Sequence, residues 1–124
     1  MLNKTASMLA AITSFVHVFI GGKDVLSPML KSNLPFEVEG AMHACWHIVS
    51  CILIWSTIVF WRGGKTAFHF GLIWLACAVL FIYLGLSELG LQGLIVLPQW
   101  TILGLAGLLT VFKNQSHNAL SYNY

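Results

Sequence analysis

Charge is what this chain has least of: six basic and four acidic residues among 124, or 8%. An ordinary soluble domain carries about a quarter charged residues. A soluble fold of this length buries only about two-thirds of the surface its unfolded chain exposes, too little to hide a sequence that is 58% hydrophobic. The scarcity therefore excludes an ordinary water-soluble domain and makes lipid the expected solvent. Basic residues are scattered, so no run of them could neutralise a row of phosphates, and nucleic acid is excluded as a partner. Cysteine is scarce too. Cys45, Cys51 and Cys77 are odd in number and have no paired spacing, which excludes a disulfide framework or a zinc ribbon and leaves them as small apolar residues. Low-complexity tracts and internal repeats are absent. The sequence also lacks a serine elbow, a phosphate-binding glycine loop, an H-E-x-x-H motif and the many histidines of a membrane di-iron enzyme. The expectation is a binding or accessory protein rather than an enzyme.

What is present is apolar length. Four segments, at about 5–22, 38–61, 67–87 and 91–112, each approach the ~20 residues that a helix needs to cross a bilayer. They are too long and too continuously apolar to be the alternating strands of a barrel. The fold class read from them is all-α, a single four-helix transmembrane bundle over residues 1–124. Lys4 before an apolar stretch resembles a signal peptide, but Ser14 and His17 interrupt the stretch and no small-x-small cleavage site precedes Lys23. The segment is read as a mature helix.

Arg62-Gly63-Gly64-Lys65 and Ser87 to Gly90 are short enough to make the second, third and fourth helices antiparallel neighbours. The first connection, about 23–37, contains Pro28 and Pro35 and several apolar residues, which suits a segment lying on the membrane surface. The tail after Lys113 is polar and expected to be loose. Lys4, Arg62, Lys65 and Lys113 share one side of this topology without any acidic residue, whereas Asp24, Glu37, Glu39 and Glu88 lie on the other with Lys23 and Lys31. The positive-inside rule then places both termini in the cytoplasm of a multi-pass inner (plasma) membrane protein.

Depth along the helices, at ~1.5 Å per residue, brings three histidines into the outer leaflet. His17 lies near the outward end of the first helix, and His43 and His47 in the first turns of the second. Glu39, His43, His47 and Ser50 fall within an arc of roughly 80°, and Ala10, Ser14, His17 and Gly21 within about 60°. Polar and small-residue stripes are what packed membrane helices present to each other, and ionisable groups at this depth face the bundle or a wet cavity. His17 is therefore expected to look toward His43 and His47. Imidazole is the commonest side-chain ligand for transition metals, and i, i+4 spacing lets two rings reach one ion. The candidate site is His17, His43 and His47 with Glu39 as carboxylate or orienting partner, for a zinc or copper ion. Alternatively, His17 and one of the pair clamp a haem iron, beside Phe15, Phe19, Trp46 and Tyr83. The same histidines would also serve as a hydrogen-bonded network that packs helices or relays protons. A structural or accessory subunit of a membrane complex, and a small transporter or proton-conducting unit built as a homo-oligomer, are the competing classes.

His69, at the inward start of the third helix beside Lys65, and His117 in the tail carry no site. Pro98 removes an amide donor and frees the carbonyl of Leu94, which favours a kink. Gln99 and Thr101 nearby are placed either to satisfy that carbonyl or to face a cavity, and the kink itself is read as a packing feature. The order His17-x-x-x-Gly21-Gly22, then Pro28, then Cys45-Trp46-His47 resembles small uncharacterised four-helix proteins of bacterial inner membranes. The resemblance covers the first half of the chain and implies four helices and that membrane, with no activity attached. The Gly22-Lys23-x-x-x-x-Pro28 passage is also similar, over those few residues, to DoxX-type four-helix proteins.

Overall fold

The computed structural model of the chain describes residues 1–121, with side chains as far as Lys113. Four helices form an all-α bundle, and no strand occurs among the described residues. The first runs Leu2–Leu30, α-helical over Leu2–Phe15, π-helical over Val16–Leu26, and closed by an α-helical turn at Ser27–Leu30. The second is Phe36–Arg62 and the third Gly64–Leu89. A 3₁₀ turn, Gly90–Gln92, and a single α-helical turn, Gly93–Val96, lead to the fourth helix, Gln99–Ser121. Three stretches are long and apolar enough to cross a membrane, Leu2–Leu30, Phe36–Arg62 and Gly64–Val96, while the apolar part of the fourth helix, Gln99–Lys113, is shorter.

Three of these boundaries differ from the sequence expectation for physical reasons. The first helix continues through Lys23–Leu30 instead of ending at Gly22. Pro28 stands where the π-helical stretch gives way to the closing turn Ser27–Leu30, two residues before the helix ends. The connection shrinks to residues 31–35. The fourth helix starts at Gln99 instead of Leu91, because the chain breaks at Leu97, φ −114° and ψ 67°, just before Pro98. The orphaned Leu94 carbonyl is capped by the Trp100 indole N–H at 3.0 Å, while Thr101 donates to the Pro98 carbonyl at 2.7 Å. The tail is helical to Ser121 rather than loose, and the His117 side chain lies outside the described part.

The buried apolar residues divide between alanines, Ala6, Ala10, Ala67, Ala78 and Ala106, and a few large side chains, Leu53, Val59, Phe60, Trp74 and Leu103. Ala6, Ala10, Ala67 and Ala106 have lost essentially all exposure, while Phe36, Leu91 and Ile95 are 80% or more exposed. Many large apolar side chains are thus on the outside, unlike those of a soluble domain. This is expected where lipid solvates the large apolar side chains and small ones let backbones approach. The first helix packs between the second and the fourth, and the third packs along the fourth. Antiparallel pairing of the first two helices is visible from end to end: Asn3 lies against Gly63, Lys4 Nζ sits 5.0 Å over the Trp61 ring, and Ser7 Oγ donates to the Thr57 carbonyl at 2.7 Å. At the far end Gly21 meets Trp46. Third and fourth helices approach through Gly71 against Gly107 and Thr110 and Ala78 against Gly104, and the turn Gly93–Val96 meets the third helix through Gly93 against Gly85. The second and third join at a buried relay in which Trp74 Nε1 donates to Ser56 Oγ at 3.0 Å and Ser56 donates to the Ile52 carbonyl at 2.7 Å. Phe60 stands edge-on to the Trp74 ring, centroids 5.2 Å apart.

The turn at Gly63 and Gly64 has φ of 74° and 79°, the left-handed region that only glycine enters cheaply. With Asn3 beside Gly63 and Gly71 beside Thr110, the N-terminus, this turn and the C-terminal half of the fourth helix share one end of the bundle. Lys4, Arg62, Lys65 and Lys113 gather there. The histidines of interest lie toward the other end.

Candidate functional site

His17 sits in the π-helical part of the first helix, an uncommon conformation that often marks functional positions. Its ring stacks on Trp46 of the second helix, centroids 4.1 Å apart and planes 17° from parallel. Its Nε2 approaches the Trp46 carbonyl at 3.4 Å, and since a carbonyl only accepts, this nitrogen carries the hydrogen. The edge of the same indole fills the space that a side chain at Gly21 would need, its Cη2 lying 3.0 Å from the Cβ position. Trp46 is thus held between His17 and Gly21, and the three residues fasten the first two helices in the halves remote from the Gly63–Gly64 turn.

His43 and His47 behave differently. One turn apart on the second helix, both are exposed, and their Nε2 atoms are 3.0 Å apart. The ring centroids stand 4.8 Å apart at 50°. One Nε2 donates its hydrogen to the lone pair of the other. The residues expected to share their stripe divide around them: Ser50 is buried and donates to the Trp46 carbonyl at 2.9 Å, and Glu39 is half-buried.

The expected convergence of His17 on the pair does not occur, because its Nε2 is turned to the Trp46 backbone. Among the described residues no three His, Cys, Asp or Glu side chains stand close enough to hold one ion, so Glu39 does not complete a site within the chain either. Of the aromatic residues considered beside a flat cofactor, Phe15 and Phe19 contact each other at 4.7 Å on the outer surface. Tyr83 also points outward. His69 is exposed and donates from Nδ1 to the Lys65 carbonyl at 2.8 Å, the local satisfaction its position implies.

Two features of the site were missing from the sequence reading. Trp46 is the partner of His17. The face carrying His43 and His47 also carries exposed Gly40, Ala44 and Cys51, at helical spacings that place them within about 100°. No protein-family model, curated protein or solved structure matches this chain.

Proposed function

We propose that the protein is a small multi-pass membrane protein that binds a transition-metal ion through His43 and His47 on the non-cytoplasmic side of a bacterial inner membrane, with both termini in the cytoplasm. The observation that carries this reading is the 3.0 Å separation of the two exposed Nε2 atoms. Two nitrogens bound to one tetrahedral zinc at 2.0–2.1 Å lie ~3.3 Å apart, so the rings need open by only about 0.3 Å. The hydrogen shared between them moves to Nδ1 of its ring, and both Nε2 lone pairs then face the ion. Zinc and copper suit imidazole donors. The basic end carrying Lys4, Arg62, Lys65 and Lys113 supports the orientation.

The test is metal content of protein purified without a histidine tag, stripped with chelator and then supplied with zinc. His47→Ala and His43→Ala are expected to lose most of the bound metal. His17→Ala and His69→Ala are expected to retain it, because each ring is tied by one nitrogen to a backbone carbonyl and neither groups with the pair. Protein that takes up neither zinc nor copper ends this reading. An accessory-subunit role, supported by the His17–Trp46 contact as a helix fastener, would replace it.

A further inference from the structure

Two imidazoles are half of a zinc coordination sphere. Structural zinc sites in proteins are almost always closed by four protein ligands, and this chain brings no third His, Cys, Asp or Glu to the pair among its described residues. The depth of the pair sharpens the problem. The second helix has 27 residues, about 40 Å at 1.5 Å each, against a hydrocarbon core of ~30 Å. Centred on the bilayer, it places His43 about 6 Å and His47 about 12 Å below the hydrocarbon boundary. Both side chains are nevertheless on the outside of the bundle. Ionisable residues at such depth ordinarily face protein or water, so an outward pair calls for a polar cover that the chain itself does not supply.

The surrounding face shows what could cover it. Gly40 and Ala44, four residues apart, are exposed beside His43, and Cys51 is exposed one turn beyond His47. A Cβ added at Gly40 would meet nothing within 4 Å, so this glycine makes no close packing contact within its own chain. Small residues at four-residue spacing on a lipid-facing surface let a second helix approach closely. Two copies in one membrane have the same orientation, and a two-fold axis along the bilayer normal brings identical residues together at identical depth. His43 and His47 of one copy then meet His43 and His47 of the other.

We infer that a second copy of this chain docks on the Gly40–Ala44 face of the second helix, so that His43 and His47 from both copies close one four-nitrogen zinc site on the dimer axis. This inference rests on the metal-binding reading above. It assigns a role to the exposed glycine and makes the outward histidines buried ligands in the assembled protein.

The experiment measures zinc per chain and particle mass together, on the untagged full chain in mild detergent. Cobalt serves as a spectroscopic stand-in whose visible absorption distinguishes four-coordinate tetrahedral geometry. The expected result is one zinc per two chains, a dimer that chelator dissociates, and a tetrahedral cobalt spectrum. Gly40→Leu is the decisive variant, because it adds bulk where the chain's own packing has none and leaves every histidine in place. It should keep the helical circular dichroism, lose the dimer, and bind zinc at least about tenfold more weakly, since losing two ligands costs no less than losing an outer-shell partner. One zinc per monomeric chain, or a Gly40→Leu protein with unchanged affinity and mass, overturns the dimer site while leaving binding by His43 and His47 standing. Absence of zinc binding overturns both.

Discussion

Gly104 and Gly107 lie nearly one turn apart on the fourth helix, and both lie beside residues of the third, but only one of them is required by packing. A Cβ on Gly107 would fall 2.8 Å from the Gly71 carbonyl oxygen and 2.8 Å from Leu75 Cγ, about 0.7 Å inside the ~3.5 Å at which such atoms ordinarily touch. The first of these is backbone and cannot rotate away. A Cβ on Gly104 meets only the Ala78 methyl, at 3.8 Å, an ordinary contact. Glycine to alanine adds the same methyl at both sites and the same gain in helix propensity, up to about 1 kcal/mol. The difference between the two variants therefore isolates packing. Overfilling a close-packed interface costs about 1–3 kcal/mol, so Gly107→Ala should be less stable than Gly104→Ala by that amount, while Gly104→Ala is neutral or slightly stabilised. Reversible unfolding in mixed micelles, followed by helical circular dichroism, measures the difference. Equal stabilities, or a larger loss at Gly104, would refute the register assigned to the third and fourth helices.

The remaining predictions test other joints of the bundle. Ser56→Ala leaves the buried Trp74 N–H without its acceptor and should cost about 1–3 kcal/mol; adding Trp74→Phe should recover part of that loss, and a loss unchanged in the double variant would count against the relay. Gly21→Leu drives side-chain atoms into the Trp46 ring and should cost about 1–3 kcal/mol, whereas Ile20→Leu, on the exposed neighbouring position, should cost much less. Topology reporters fused after Trp61 and after Lys113 should give the same cytoplasmic signal, and opposite signals from the two would break the shared end described above.

Much of the fold was legible because membrane helices write themselves in composition. The apolar lengths, the Gly63-Gly64 turn and the freed Leu94 carbonyl could all be read before any coordinates. The places that could not be read are those where several solutions satisfy the same rule. A proline ends most helices, but Pro28 stands at the changeover from the π-helical stretch to the closing turn, and the helix runs through it to Leu30. Pro98 demands a donor for Leu94, and the answer came from the indole of Trp100, two residues on, a geometry that no spacing rule singles out. The partner of Trp74 was likewise hidden, since a serine and a tryptophan on neighbouring helices carry no pattern in sequence. At the candidate site, helical periodicity put His43 and His47 on one arc with Ser50 and Glu39. An arc fixes relative angle only. Which side of that arc faces the bundle depends on where the first helix lies, and this placed Ser50 inside and the histidines outside.

That division bears directly on what the histidines are for. A histidine retained for packing should join two elements, as His17 does by stacking on Trp46 and reaching its carbonyl across the helix boundary. Its loss would loosen an interface, and the residue needs no ligand to account for it. His43 and His47 join nothing: their mutual hydrogen bond lies within one helix, on an exposed face, and such an i, i+4 contact contributes only about 0.2–0.5 kcal/mol to the helix. That is small against the cost of holding two imidazoles outward at hydrocarbon depth, about where polar residues are normally excluded from lipid contact. The imbalance is removed only if something polar engages both rings from outside the chain. On the proposed reading, a metal ion would satisfy both nitrogens at nearly their present spacing, and a second copy of the same face would supply the ligands that the ion still requires.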